Sequence, residues 1–188
     1  SNFRFLFSTV DAWRITRNTL AYNAVFIALN TCVSLLIAVA LDDLKRRWAL
    51  KFFQTVNFFP HFLSWVVAGY MLYAFLQPQY GLLNGFLSWL GVEPKSWYME
   101  AKYWVYILPV MYVWKHAGYN SLIYYSGLLA IDESMCEAAE IDGASRRQTI
   151  WYVKLPQLQP LVVMMTLLAV GRIFYADFGM FYNLPRNI

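Results

Sequence analysis

Three charged residues stand inside otherwise apolar stretches of this chain: Lys115, Arg172 and Asp177. A charge in such surroundings carries a penalty of about 2.5–3.5 kcal/mol on membrane-insertion scales, so each is a functional hypothesis by default. Tyr119 lies one helical turn beyond Lys115, with Asn120 beside it and Ser126 further along the same face. Lys115, Tyr119, Asn120, Arg172 and Asp177 are therefore candidates for lining a hydrophilic path. Arg172 and Asp177 are five apart and do not share one helix face cleanly, and a pair between Lys115 and Asp177 across two helices is conceivable. Uncharged polar residues recur at helical spacing too, as Asn23, Asn30 and Ser34 and as Asn57, His61 and Ser64. Such stripes serve either a polar path or hydrogen bonds between helices.

Conventional catalysis finds little support. His61 and His116 are the only histidines, on separate segments with no cysteine or carboxylate cluster beside them, and a metal site needs more ligands than that. No local motif presents a nucleophile with its base, and no GxxxxGK[ST] phosphate loop is present. The expectation is no catalytic residue, no metal and no cofactor: a protein that is not an enzyme.

The elements that must position these residues follow from composition. Apolar residues make up 60% of the 188 and charged residues 14%, against about 45–50% and about 25% in soluble domains, so a lipid bilayer is the natural solvent. Four apolar stretches, residues 19–41, 55–77, 104–130 and 161–182, each run 22 to 27 residues. At about 1.5 Å per residue they can cross a hydrocarbon core of about 30 Å. Without period-2 alternation they are helices, and the predicted fold class is an all-α polytopic membrane bundle. Pro60 and Pro109 fall inside spans and should kink or open them one turn earlier.

The net charge of +4 arises from small clusters, with no basic stripe of the kind nucleic acid would require. Lys45, Arg46, Arg47 and Lys51 crowd the first connection, residues 42–54. If that connection and residues 131–160 are cytoplasmic, they carry seven cations, against six on the other side (Arg4, Arg14, Arg17, Lys95, Lys102 and Arg186). That is a weak positive-inside bias. Trp89, Trp97, Tyr98, Tyr103 and Trp104 crowd the opposite loop, as an interfacial belt would; sugar stacking is the alternative. Cys32 and Cys136 are read as reduced and structural. With no initiator Met and a polar stop at residues 183–188, the chain is expected to be a fragment.

Residues 131–160, IDESMCEAAEIDGASRRQTIWYVKLPQLQP, carry helix signals of their own. Asp132 or Ser134 can cap a short helix through Glu137 to Glu140, and Gly143 suits its left-handed stop. Ser145 with Gln148 forms a capping box for a second helix, while Pro156 and Pro160 forbid simple continuation. These signals alone divide evenly between a solvated linker and a docking element.

The segment resembles the EAA motif of binding-protein-dependent ABC importer permeases. Glu137, Ala138, Ala139, Gly143, Val153, Leu155 and Pro156 stand in its fixed register, and Asp142 and Ala144 complete the EAAxxDGA form. Val153, where Ile is usual, is the one mild departure. The stretches NFRFLFS, WRITRNTLAYN, FFPHFLSWVV, WKHAGYNSLIYYSGLLAID and GRIFYADFGMFYNLPRN are similar to the oligosaccharide-type branch, in particular the LplB-like group. The resemblance implies a type I importer transmembrane domain with four of about six core spans present. It implies a cytoplasmic coupling loop over 131–160, with Glu137, Ala138, Ala139, Asp142, Gly143, Ala144, Leu155 and Pro156 facing an ABC ATPase dimer. It further implies a second permease subunit, expected to be a different chain, an extracytoplasmic solute-binding protein, and residence as a multi-pass protein in a bacterial plasma membrane. The cargo it implies is a sugar or oligosaccharide; a non-sugar solute such as a polyamine or phosphate is the alternative, and a membrane-embedded enzyme the more distant one.

Overall fold

The computed structural model describes residues 10–185. The NFRFLFS stretch, Arg4 and Arg186 lie outside these described residues, as does the end of the chain. The described chain is helical, with no strand among its described residues. In order the helices are α1 (Val10–Asp42), α2 (Arg47–Phe62), α3 (Trp65–Leu76), α4 (Leu82–Trp89), α5 (Ala101–Leu129), α6 (Glu133–Ile141), α7 (Arg146–Val170) and α8 (Phe178–Asn183).

The expected span over 55–77 is two helices. Pro60 does not break α2, which runs on to Phe62; the break falls at Leu63 and Ser64. Ser64 sits in extended backbone and its Oγ accepts from the Val67 N–H at 3.3 Å, starting α3 as an N-cap. Pro109 is carried within α5 without interruption.

The last expected span, 161–182, is also redrawn. Its helix starts fifteen residues earlier, at Arg146, and ends at Val170. Pro156 does not stop it because residues Ile150–Lys154 form one π turn. There the Leu155 N–H reaches back five residues to the Ile150 carbonyl, and the wider turn accommodates a proline ring that lacks its own N–H. Beyond Gly171 the backbone turns, and α8 begins afresh at Asp177. Arg172 and Asp177 thus lie in a connection and at a cap rather than within one span.

By length and apolarity, Asp11–Asp42 and Arg146–Val170 suit a membrane crossing, as do α2 and α3 taken as one broken span. α5 has the length, 29 residues, but is not among the helices apolar enough throughout to cross by this measure; Lys115, His116, Asn120 and Ser121 fall within it.

The described chain divides into two compact units, residues 10–61 with 113–174 and residues 62–112 with 175–185. In the first, small residues bring helices together. Ser34 and Ala38 on α1, and Ala117 and Ser121 on α5, are four apart on their helices and buried, and the Ser34 hydroxyl donates to the Ala117 carbonyl at 3.2 Å. This is the small-residue packing expected where lipid supplies no hydrophobic drive between helices. Gly118 makes the tightest approach: a Cβ there would sit 1.8 Å from the Asn57 carbonyl oxygen of α2. Ala38, Tyr124, Leu128 and Leu158 form the apolar centre of this unit, joined by Leu161 and Met165 of α7.

The second unit is organised by Asn84. Its buried amide donates to the Pro78 and Lys95 carbonyls and accepts from the Lys95 N–H and the Trp97 indole. Tyr98 and Trp104, expected in an interfacial belt, are buried and packed edge to face, with Tyr73 against Tyr98 on the other side. Of the expected belt, Trp89 is the one fully exposed indole; Tyr103 packs against the Trp97 ring.

Candidate functional site

Residues 131–149 fold into the capped helix and turn that their side chains suggested. Asp132, rather than Ser134, is the N-cap: its carboxylate accepts from the Ser134 N–H at 3.0 Å. That bond, and one from the Ser134 hydroxyl, lower the Asp132 pKa below its ordinary value. At the other end the Gly143 N–H donates to Glu140 and the Ala144 N–H to Ala139, at 3.0 and 2.9 Å, with Gly143 at φ +84°. This is a Schellman turn, which satisfies carbonyls that a helix end otherwise leaves open. The Ser145 N–H then donates to Gln148 Oε1 at 2.7 Å, the returning half of the capping box.

Of the residues the motif singles out, Glu137, Ala138, Asp142, Gly143 and Pro156 are exposed, and Ala139, Ala144 and Leu155 are half-buried. Ile141 adds an outward apolar side chain, 86% exposed, which the sequence reading passed over. α6 is thus a nine-residue helix with both ends closed by its own side chains and glycine, presenting an acid, an alanine and an isoleucine outward.

The segment is also held to the chain at a distance. Arg146 meets Asp43 at 2.6 Å, and Lys154 pairs with Asp42, both of those side chains being mostly buried. Asp42 and Asp43 close α1 and were not among the sequence candidates. Nothing in their spacing marks them, because their partners lie more than one hundred residues away.

The polar residues of the spans fall into two groups. Lys115 is only 8% exposed, and its ammonium donates to the His61 carbonyl at 3.0 Å and the Pro60 carbonyl at 3.5 Å. These are among the last four carbonyls of α2, which have no partner within the helix. A cation there also meets the negative end of the helix dipole, so Lys115 acts as the C-cap of α2. Asp177 is likewise employed in the fold: one oxygen accepts from the Trp65 indole at 2.7 Å and the other from the Met180 N–H at 3.2 Å, capping α8.

Tyr119 is exposed and stacks on the His61 ring at 4.6 Å; Asn120 is half-buried and Arg172 exposed. Among the stripes, Asn23 donates to the Ile173 carbonyl at 2.7 Å and Ser34 to Ala117, so these two members hold segments together. Among the described residues no group of three His, Cys, Asp or Glu side chains gathers as a metal site would.

Comparison with known proteins gives the site its context. The chain is 30% identical over 172 residues to the polygalacturonan/rhamnogalacturonan transport system permease protein YteP of Bacillus subtilis (strain 168), covering 90% of this chain and 53% of that one. It is 24% identical over 186 residues to protein LplB of the same organism, covering 99% of this chain and 58% of the other. The chain therefore spans little more than half the length of these relatives. Among solved structures it matches a bacterial alginate ABC transporter, in complex with an alginate pentasaccharide-bound periplasmic protein. The TM-score is 0.87 at 27% identity, over 92% of this chain and 60% of that one. The all-α architecture is thus that of an ABC importer permease, as the resemblance implied. Residues 19–176 match the family model of the binding-protein-dependent transport system inner membrane component, and the chain belongs to that family.

Proposed function

We propose that this chain is the membrane-spanning part of a permease subunit in an ATP-driven, binding-protein-dependent importer of a sugar or oligosaccharide. The carrying observation is α6: a short stiff helix, closed at both ends, presenting Glu137, Ala138 and Ile141 outward immediately before a membrane-length helix. A helix so braced suits seating in a groove of an ATPase subunit, with Glu137 supplying a charged contact and Ala138 allowing close backbone approach. The reading puts residues 131–160 on the cytoplasmic side of a bacterial plasma membrane, in a multi-pass protein. Closure of two ATPase subunits would push α6 and switch the membrane helices between inward-facing and outward-facing states.

The cargo class follows YteP, whose name specifies polygalacturonan/rhamnogalacturonan transport, and the solved alginate ABC transporter. A periplasmic binding protein and a second permease chain are the expected further partners. Because Lys115 and Asp177 are already employed in holding helix ends, Tyr119, Asn120 and Arg172 are the pathway candidates whose substitution should change uptake without disturbing the fold.

The test is purification of the full-length permease with its ATPase, followed by uptake into proteoliposomes. Parent protein should retain the ATPase, and Glu137→Arg with Ala138→Trp should lose it while still inserting. Uptake of labelled oligogalacturonide, arabino-oligosaccharide and maltodextrin, against putrescine and phosphate, sorts the cargo. Retention of the ATPase by the doubly substituted protein would refute the docking role of α6.

A further inference from the structure

We propose that Asp42 and Asp43 are positioning residues that bind the end of α1 to the coupling segment, so that both move as one body when α6 is pushed. The inference rests on the proposed function and adds to it a second element through which motion is delivered. Three observations carry it. First, the acids are misplaced for their own helix. A helix C-terminus favours cations, yet α1 closes on Asp42 with Asp43 next and has no basic residue in its last turn.

Second, their partners are remote in sequence, one before the π turn and one at its last residue. Arg146, at the first position of α7, reaches the Asp43 carboxylate at 2.6 Å and donates to the Asp43 carbonyl at 3.2 Å. Lys154, at the last residue of the π turn, pairs with Asp42. Lys45, Arg46 and Arg47 follow directly in sequence, but the pairs described run to α7. Third, the inner pair is sheltered: the Lys154 and Asp42 side chains are 23% and 14% exposed, beside a cavity of about 480 Å³ that Glu133 and Cys136 also line. Exposed ion pairs contribute little. Breaking a sheltered pair leaves an uncompensated charge, which is strongly destabilising.

The sheltered Lys154–Asp42 pair is the main tie, and the Arg146–Asp43 pair, 59% and 41% exposed, adds a weaker contact on a different turn of α7. α1 is in turn bonded to α5 through Ser34 and Ala117. A push on α6 is therefore delivered to α1 through salt bridges as well as along the chain into α7.

The experiment uses the full-length permease with its partner permease, ATPase and binding protein in proteoliposomes. Its readout is the ratio of binding-protein-stimulated to unstimulated ATP hydrolysis. Asp42→Lys should lower that ratio about fivefold, the equivalent of about 1 kcal/mol of lost coupling. Asp42→Lys with Lys154→Asp should restore it to within about twofold, since the pair is re-formed with its ends exchanged. Asp43→Cys with Arg146→Cys, in a Cys32→Ser and Cys136→Ser background, should also lower the ratio. A short reversible bis-methanethiosulfonate bridge between the two cysteines should recover it. An Asp42→Lys protein that inserts normally and keeps the parent ratio overturns the inference, as does a bridge that arrests hydrolysis until reductant is added. Should Asp42→Lys fail to insert, the bridged pair decides alone. A parent complex that never binds an ATPase would instead refute the proposed function, which separates the two failures.

Discussion

The segment 131–149 and the broken span over α2 and α3 are both interruptions of the membrane helices, yet they are specified in opposite ways. In the first, each cap lies within a few residues of the group it satisfies: Asp132 with Ser134, Gly143 with Glu140, Ser145 with Gln148. In the second, α2 ends among apolar residues and its terminal carbonyls are met by Lys115, more than fifty residues onward. Where water can finish a helix end, local side chains suffice to choose its position. Where no side chain nearby in sequence meets the end, an open carbonyl kept from water costs free energy, and at α2 a distant cation is brought to it.

That contrast can be tested from its strongest consequence downward. Gly118→Leu should abolish folding, or reduce stability by more than about 3 kcal/mol, because even a Cβ would enter the Asn57 carbonyl. Thermal unfolding in detergent checks this, and a near-parental melting temperature would mean α2 and α5 do not meet there. Lys115→Met should lower stability by about 2 kcal/mol by orphaning the α2 carbonyls, with amide exchange accelerating around residues 62–65; Lys115→Arg should keep most of the protection. If Lys115→Met leaves exchange unchanged, the cation is not the cap.

Gly143→Val should reduce stability by about 1–2 kcal/mol, since a left-handed residue pays for its Cβ even with open space around it. It should reduce ATPase-coupled uptake far more than insertion, and undiminished uptake would remove the turn from the coupling role. The Asp132 cap predicts a pH effect confined to acid. Its carboxylate pKa is lowered on folding, so its contribution is fully present above the ordinary value near 3.8 and is lost as pH falls through the lowered value. Protection of the Ser134 amide, taken as its exchange rate relative to the intrinsic rate at each pH, should therefore hold level between pH 5 and pH 8 and fall only below about pH 4. Gly85→Ala is the smallest change: nothing lies within 4 Å of the new methyl, and α4 should gain up to about 1 kcal/mol.

The same contrast explains what could be read from the residues alone. The caps at Ser145 and Gly143 and the register from Glu137 to Pro156 were readable because they obey short-range rules. The general run of helices was readable from apolar length. The break after Phe62 was not, because Ser64 looks like one more polar residue in an apolar run until its Oγ is seen to accept from Val67. Tyr98 and Trp104 misled for a related reason: an aromatic near a helix start has the same composition whether it faces an interface or a neighbouring ring. Gly118 and the acids Asp42 and Asp43 passed unnoticed because a close approach and a long-range ion pair leave no trace in spacing.

The π turn at Ile150–Lys154 gives the motif's spacing a meaning beyond its residue types. A π turn holds one residue more than the α turn it replaces, and each residue of an α-helix advances the face by about 100°. Deleting any single residue from 150–154 would leave a helix that is chemically intact, but Leu158, Leu161 and Met165 would be swung away from Tyr124 and Leu128. The interval from Gly143 to Leu155 thus works as a ruler with an odd mark on it. It sets the phase in which the membrane helix leaves the coupling segment, and a change of length there should be tolerated less than a change of side chain.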